Sequence, residues 1–176
     1  LNIGIDGYIW LGCYLPNIRY LDQPYADSKI NALAQRLADD VEWRAFMEGY
    51  LTGSQIYRDL YAFMRPHYVR ALENKVFEGS VEGRLVDHLC IGYLGGLELL
   101  QSNNEDGQPS LFRKMLDEAD TSEKRGRWSK AAEHFWQRTS KEVRKEGKDI
   151  EEGPSKDVKR KILEFWTWTY NERDVV

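Results

Sequence analysis

Apolar side chains recur every three or four residues along nearly the whole chain, and strand-like alternation over several residues is hard to find. That spacing gathers the apolar groups on one face of a helix and leaves little from which to build a sheet. It predicts an all-α fold of about eight or nine helices. Connections between the periodic stretches are short, which favours antiparallel neighbours. Phe135-Trp136 and Phe165-Trp166 repeat a pair at a spacing near the period of helix-pair solenoids. The expected architecture is therefore an irregular, solenoid-like stack of antiparallel helix pairs, with 1–176 as one α-helical domain.

The boundaries follow from caps and breakers. Ile5 to Tyr14 reads as an apolar helix that Gly7 and Gly12 weaken in isolation, and it ends at Leu15-Pro16. Asn17 to Ala26, with Pro24 inside it, reads as a loop. Asp27 then caps a helix that buries Ile30, Leu33 and Leu37. Asp39 or Asp40 opens a second helix carrying Trp43, Phe46, Met47, Tyr50 and Leu51, with Gly53 as its stop. Ser54 caps a third, with Ile56, Leu60, Phe63 and Met64 facing inward. Pro66 disfavours helical geometry at Arg65, so a break is expected there, with a new short helix from Pro66 to Leu72. Ser80 opens the most apolar helix, in which Val81, Leu85, Leu89, Ile91 and Leu94 can all be buried and which fades at Gly95-Gly96. Gln101 to Pro109 is the clearest loop. Ser110, Thr121 and Ser155 cap the remaining helices. The second of these sets Trp128, Ala131, Ala132, Phe135 and Trp136 on its apolar side; the last sets Val158, Ile162, Phe165, Trp166 and Thr169 on one face. Lys145 to Pro154 reads as a charged loop.

Composition narrows the class. With 41% apolar and 31% charged residues over 176 positions, the chain can bury a real core, and its 12% aromatics supply large side chains to fill it. Its net charge of −4 gives no general attraction to a phosphate backbone. Cys13 and Cys90 stand far apart with no CxxC spacing, so the reading is two reduced thiols in a cytoplasmic protein. No stretch of about 18 apolar residues is present, and no membrane span is expected. The first residues, beginning at Leu1, read as the middle of something already packed, as in a piece of a longer protein.

Recognisable catalytic motifs are missing. There is no phosphate-binding loop ending in Lys-Ser or Lys-Thr, and no GxSxG elbow. His67, His88 and His134 lack a second ligand at helical spacing, so neither metal nor cofactor is expected. Cys90, in the most apolar helix, reads as an inert core thiol. The segment Arg65-Pro66-His67-Tyr68-Val69-Arg70 mixes cations with an aromatic, a composition able to contact phosphate or single-stranded nucleic acid. The competing reading makes it a helix start with Tyr68 inward and the arginines solvated. Lys156, Lys159, Arg160 and Lys161 are diluted by Asp157 and Glu164 and read as an ion-paired face. In Phe165-Trp166-Thr167-Trp168-Thr169-Tyr170 one helix face cannot take every ring. Trp168 must either meet another helix or mark a partner surface. Arg65, His67, Arg70 and Trp168 are thus the candidate binding residues.

The stretch from Trp43 to Leu51, then Ile56 to Tyr61, then Met64-Arg65-Pro66-His67-Tyr68, resembles the C-terminal helical region of large bacterial multidomain proteins. Those proteins often carry an upstream sirtuin-like or STAND-type NTPase module. Ser110-Leu111-Phe112 and Phe165-Trp166-Thr167-Trp168 are similar to elements further along that region. The resemblance implies a defence or signalling protein and carries over no catalytic residue. The function expected is a non-enzymatic helical interaction or sensor module, bound to a protein partner or to an upstream domain of its own chain. The alternative is a small helical enzyme or nucleic-acid-binding domain. A pocket gathering His67, His88 or His134 with carboxylates would favour the enzyme. A groove lined by exposed aromatics or by Arg65 and Arg70 would favour binding, and a large apolar patch on residues 1–15 would favour a structural role.

Overall fold

The computed structural model describes residues 4–36, 40–117, 121–145 and 155–173. The expected positions Leu37 and Asp39 and the charged loop from 146 to 154 lie outside the described residues. Among those described the chain is all-α, with nine helices and no strand; the one β-like contact is an isolated bridge between Asn103 and Pro109. The chain divides into two compact units, Leu1–His88 and Leu89–Val176.

The first unit holds α1 (Ile5–Cys13), α2 (Leu15–Leu21), α3 (Gln23–Ala34), α4 (Val41–Gly53), α5 (Arg58–Asn74) and the start of α6 (Gly79–Leu94). The segment 17–26, expected as a loop, is mostly helix. Its two prolines open helices: Pro16 sits in the first turn of α2 and Pro24 in the first turn of α3, where a missing N–H removes no intrahelical bond. Asp22, not Asp27, caps α3 by accepting the Tyr25 N–H at 3.0 Å. Asp40 caps α4 in the same way, through the Trp43 N–H at 2.9 Å.

α5 starts at Arg58, after a non-helical link over 54–57, and runs unbroken through Pro66. The proline lacks a bond to the Ala62 carbonyl, but both residues are exposed, so solvent can serve that carbonyl. Buried side chains hold the helix on either side: Leu60, Tyr61 and Met64 before it, and His67, Tyr68, Ala71 and Leu72 after it. Tertiary anchoring has outweighed the local penalty.

α1 packs backbone to backbone on α4. A Cβ at Gly12 would lie 2.1 Å from the Phe46 carbonyl oxygen, and one at Gly49 would lie 2.1 Å from that of Ile9. One turn on, a Cβ at Gly53 would meet Cys13 Sγ at 2.7 Å. These glycines make the contact possible, and Gly53 acts as a packing residue rather than only as a stop. Ile30, Leu33, Trp43, Phe46, Met47 and Tyr50 fill the interior of this unit.

The second unit holds the rest of α6, then α7 (Leu111–Asp117), α8 (Thr121–Lys145) and α9 (Ser155–Arg173). α6 ends in a Schellman turn at Gly96, whose φ is +76°; the Leu97 N–H reaches the Gly92 carbonyl and the Gly96 N–H reaches that of Tyr93. Glu98 is fully buried and organises the following loop. Its Oε2 accepts the Leu111 N–H at 2.7 Å and the Asn104 amide at 3.1 Å, so it serves the first turn of α7 alongside Ser110. Tyr93, Phe112, Phe135 and Phe165 form the core, with ring centroids 4.6–6.1 Å apart. Phe135 meets Phe165 while Trp128 meets Trp168, so α8 and α9 run antiparallel. Three expectations of burial fail here, the first at Ile91, which is 39% exposed because the buried stripe of α6 runs through Leu89, Cys90 and Tyr93. Trp136 is 68% exposed and Trp166 39% exposed, because Phe135 and Phe165 already occupy the inward positions.

Candidate interaction surface

The cationic segment of α5 turns mostly inward. His67 is 2% exposed, and its Nδ1 accepts the Trp43 indole N–H at 2.9 Å. Burial, reinforced by the nearby Arg70 charge, lowers its pKa to about 4, so the ring is neutral near pH 7. Arg70 is half-buried, not solvated. Its guanidinium lies 4.0 Å over the Trp43 ring and donates to the Leu33 carbonyl at 2.9 Å, in the last turn of α3. Arg65 is half-buried, and a five-residue separation turns it about 140° away from Arg70 around the helix. The structure therefore does not bring Arg65, His67 and Arg70 together as one basic face.

His88 is held as firmly. It hydrogen-bonds the Leu51 carbonyl in the last turn of α4, and its Nδ1 lies 2.9 Å from the Tyr68 hydroxyl. The carbonyl needs a donor, so Nε2 carries the proton and Nδ1 accepts. Tyr68 then donates to His88, and Tyr50 donates to Tyr68 at 3.0 Å. Burial lowers the His88 pKa to about 4 and raises that of the Tyr50 phenol. Every polar atom of this buried chain from Tyr50 to Leu51 has a partner, which is the condition for such a network to stabilise a core.

Lys161 corrects another expectation. It is buried rather than part of a solvated face, and Asp157 pairs with Arg160 instead. Its Nζ donates to the Tyr93 carbonyl at 2.7 Å in the last turn of α6, while the Tyr93 hydroxyl donates back to the Lys161 carbonyl at 2.8 Å. Desolvation lowers its pKa. Trp168 is half-buried against Trp128, with the Arg113 guanidinium 4.5 Å over its ring. It meets another helix, the first of the two fates open to it.

Most of the large apolar side chains that remain exposed are aromatic. In the second unit, Leu163, Trp166 and Tyr170 line an outward stripe of α9, and Trp136 stands out from α8. The stripe is offset by about 100° from the buried one through Ile162, Phe165 and Thr169. The signal was present in the sequence as a second set of apolar residues at i, i+3 and i+7. A groove of about 420 Å³ in the same unit has Ile91, Leu94 and Val158 as its apolar lining, with His134, Gln137 and Arg138 beside them. In the first unit Trp10 stacks on Tyr14 at 5.3 Å, both exposed, and Ile5 is exposed near them in sequence. Among the described residues no helix is long and apolar enough to cross a membrane, and no group of three or more His, Cys, Asp or Glu is placed to hold a metal ion. The chain matches no protein-family model, no curated protein and no solved structure.

Proposed function

We propose that the chain is a non-enzymatic helical interaction module whose second unit binds a protein partner through α8 and α9. The observation that carries this reading is the outward stripe of Leu163, Trp166 and Tyr170, with Trp136 exposed on the neighbouring helix. Four large apolar side chains in water cost free energy that a partner would recover, and Trp and Tyr dominate the energetics of protein interfaces. The chemically versatile residues support the same reading. His67, His88 and Lys161 are each committed to a buried hydrogen bond inside the fold. The resemblance noted in the sequence supports a cytoplasmic bacterial defence or signalling setting, with the partner either a separate protein or another domain of the same polypeptide.

The test is pairwise binding of this chain, by calorimetry, to the products of neighbouring genes and to the rest of its own polypeptide. A Trp166→Ala, Tyr170→Ala double variant should weaken the interaction by roughly 30-fold or more, the effect of losing one interface hot spot. Its far-UV circular dichroism should be unchanged, since both rings are exposed. A partner that binds the double variant as tightly as the parent refutes the assignment of this face.

A further inference from the structure

The outward stripe of α9 extends beyond its apolar part. At 100° per residue, Lys156 and Lys159 fall on the same arc, about 80° wide, as Leu163, Trp166 and Tyr170, and all five side chains are exposed. Their spacing alternates between three and four residues, which is the a and d register of a heptad seam. The stripe is about 21 Å long, the length of a four-turn helix laid beside it.

The stripe has two halves. Its start is cationic and its end is apolar, and no acid interrupts it. Asp157 and Glu164 fall about 80° or more beyond its edge on the helix. Asp157 pairs with Arg160 at 2.5 Å, and Glu164 accepts the Tyr93 hydroxyl at 3.3 Å. The surrounding charge has the same sign as the lysines. α8 and α9 together hold 13 Lys and Arg against 6 Asp and Glu, in a chain whose overall balance is 25 against 29. The positive charge of an acidic protein is therefore concentrated on the two helices that carry the exposed rings.

This layout separates the classes of occupant. A second copy of α9 brings the same lysines and no carboxylate in register to meet them. A single-stranded nucleic acid wants cations tracking its backbone beside the stacking rings, and an anionic bilayer wants them flanking the apolar face along its length. Here the cations and the rings follow one another along the stripe instead. A helix whose own seam is acidic in one half and apolar in the other matches both halves at once, by charge complementarity at the lysines and by apolar burial at the rings.

We propose that the partner of this face is an amphipathic helix of a protein, acidic where it meets Lys156 and Lys159 and apolar where it meets Leu163, Trp166 and Tyr170. The inference rests on the protein-binding reading of α8 and α9 and adds to it the chemistry of the partner.

The experiment is calorimetry of the whole chain with synthetic helical peptides of about 20 residues. One has Glu at a and d in one half and Leu at a and d in the other; its twin has Lys in place of Glu. Each is made in both sequence orders, since the register does not fix the direction of the partner. In at least one order the acidic peptide should bind tenfold or more tighter than its twin, and its affinity should fall as salt rises above about 0.15 M. Lys156→Glu with Lys159→Glu should weaken the acidic peptide about tenfold and strengthen the basic twin, a reciprocal change that misfolding cannot produce. Trp166→Ala with Tyr170→Ala should weaken binding of the acidic peptide at least as much. Twins that bind equally, both sensitive to Trp166→Ala with Tyr170→Ala, would overturn the acidic partner and leave the protein-binding face standing. Peptide binding insensitive to that double variant would overturn both. No peptide binding, or tighter binding of an oligothymidylate or of phosphatidylglycerol vesicles than of the acidic peptide, would overturn the proposal.

Discussion

Gly49 offers a test in which the sign of the effect decides the question. Replacing a glycine inside a helix with alanine ordinarily stabilises it by about 1 kcal/mol, because the backbone loses less freedom on folding. At Gly49 the added Cβ would lie 2.1 Å from the Ile9 carbonyl oxygen and 2.9 Å from the Ile9 Cα, so it meets backbone rather than a movable side-chain end. α1 would have to retreat by about 1 Å, opening the contact along its length; overpacking of this kind costs about 1–3 kcal/mol and more where nothing can yield. With the propensity gain deducted, Gly49→Ala should destabilise the first unit by about 2 kcal/mol, lowering its melting temperature by roughly 8–16 °C. Gly126 is the internal control. It lies inside α8, it is exposed, and a Cβ there meets nothing within 4 Å. Gly126→Ala should stabilise by about 0.5–1 kcal/mol. Thermal melts by circular dichroism, with amide hydrogen exchange to assign each change to its own unit, measure both. A neutral or stabilising Gly49→Ala would show that α1 does not sit against the α4 backbone.

The remaining expectations concern the buried polar groups. Tyr68→Phe should cost more than Tyr50→Phe, by about 1–2 kcal/mol in urea unfolding, because it leaves both the Tyr50 hydroxyl and His88 Nδ1 buried without their partner, whereas Tyr50→Phe removes only the outer donor. Stability should fall between pH 6.5 and pH 4. His67 and His88 have folded pKa values of about 4 against 6.5 unfolded, so across that window the unfolded chain binds protons that the folded chain does not. The loss is about 3 kcal/mol for each histidine when complete. Urea titrations at pH 7 and pH 5 should show it, and a chain with both histidines replaced by Gln should show a shallower dependence; an equal slope would contradict the assignment. Glu98→Ala should remove the acceptor of the Leu111 N–H, cost about 1–3 kcal/mol and speed hydrogen exchange at Leu111 and through residues 99–110.

Periodicity made the fold class readable, and caps such as Asp40 and Ser110 sat where their side chains allow. Other features depended on information that no short window contains. Pro16 and Pro24 are loop markers by composition and helix openers by position, and only the neighbouring packing decides which. Pro66 breaks a helix in isolation, yet in α5 seven buried residues span it. Gly12, Gly49 and Gly53 looked like weak points because propensity counts only the local cost; their use lies in a partner helix that local sequence does not name. The site residues failed for a related reason. Arg70 and His67 have the composition of a phosphate contact, but the groups that engage them, Leu33 and Trp43, lie 37 and 24 positions away. The exposed stripe of α9 was legible in principle, since two apolar stripes on one helix cannot both face the same core.

Arg70, His88 and Lys161 share a role that unites these observations. Each reaches from a later helix to a carbonyl in the last turn of an earlier one: Leu33 of α3, Leu51 of α4 and Tyr93 of α6. Helix ends leave carbonyls without intrahelical donors; all three side chains supply the missing bond, and the charged Arg70 and Lys161 also suit the negative end of the helix dipole. Short connections and an aromatic core bury those ends, so the donors must come from across the unit rather than from water. Side chains used in this way lose the exposure and mobility that recognition of an external ligand needs. What the helices of the second unit present outward instead is tryptophan, tyrosine and leucine on α8 and α9, the side chains on which the proposed protein-binding face rests.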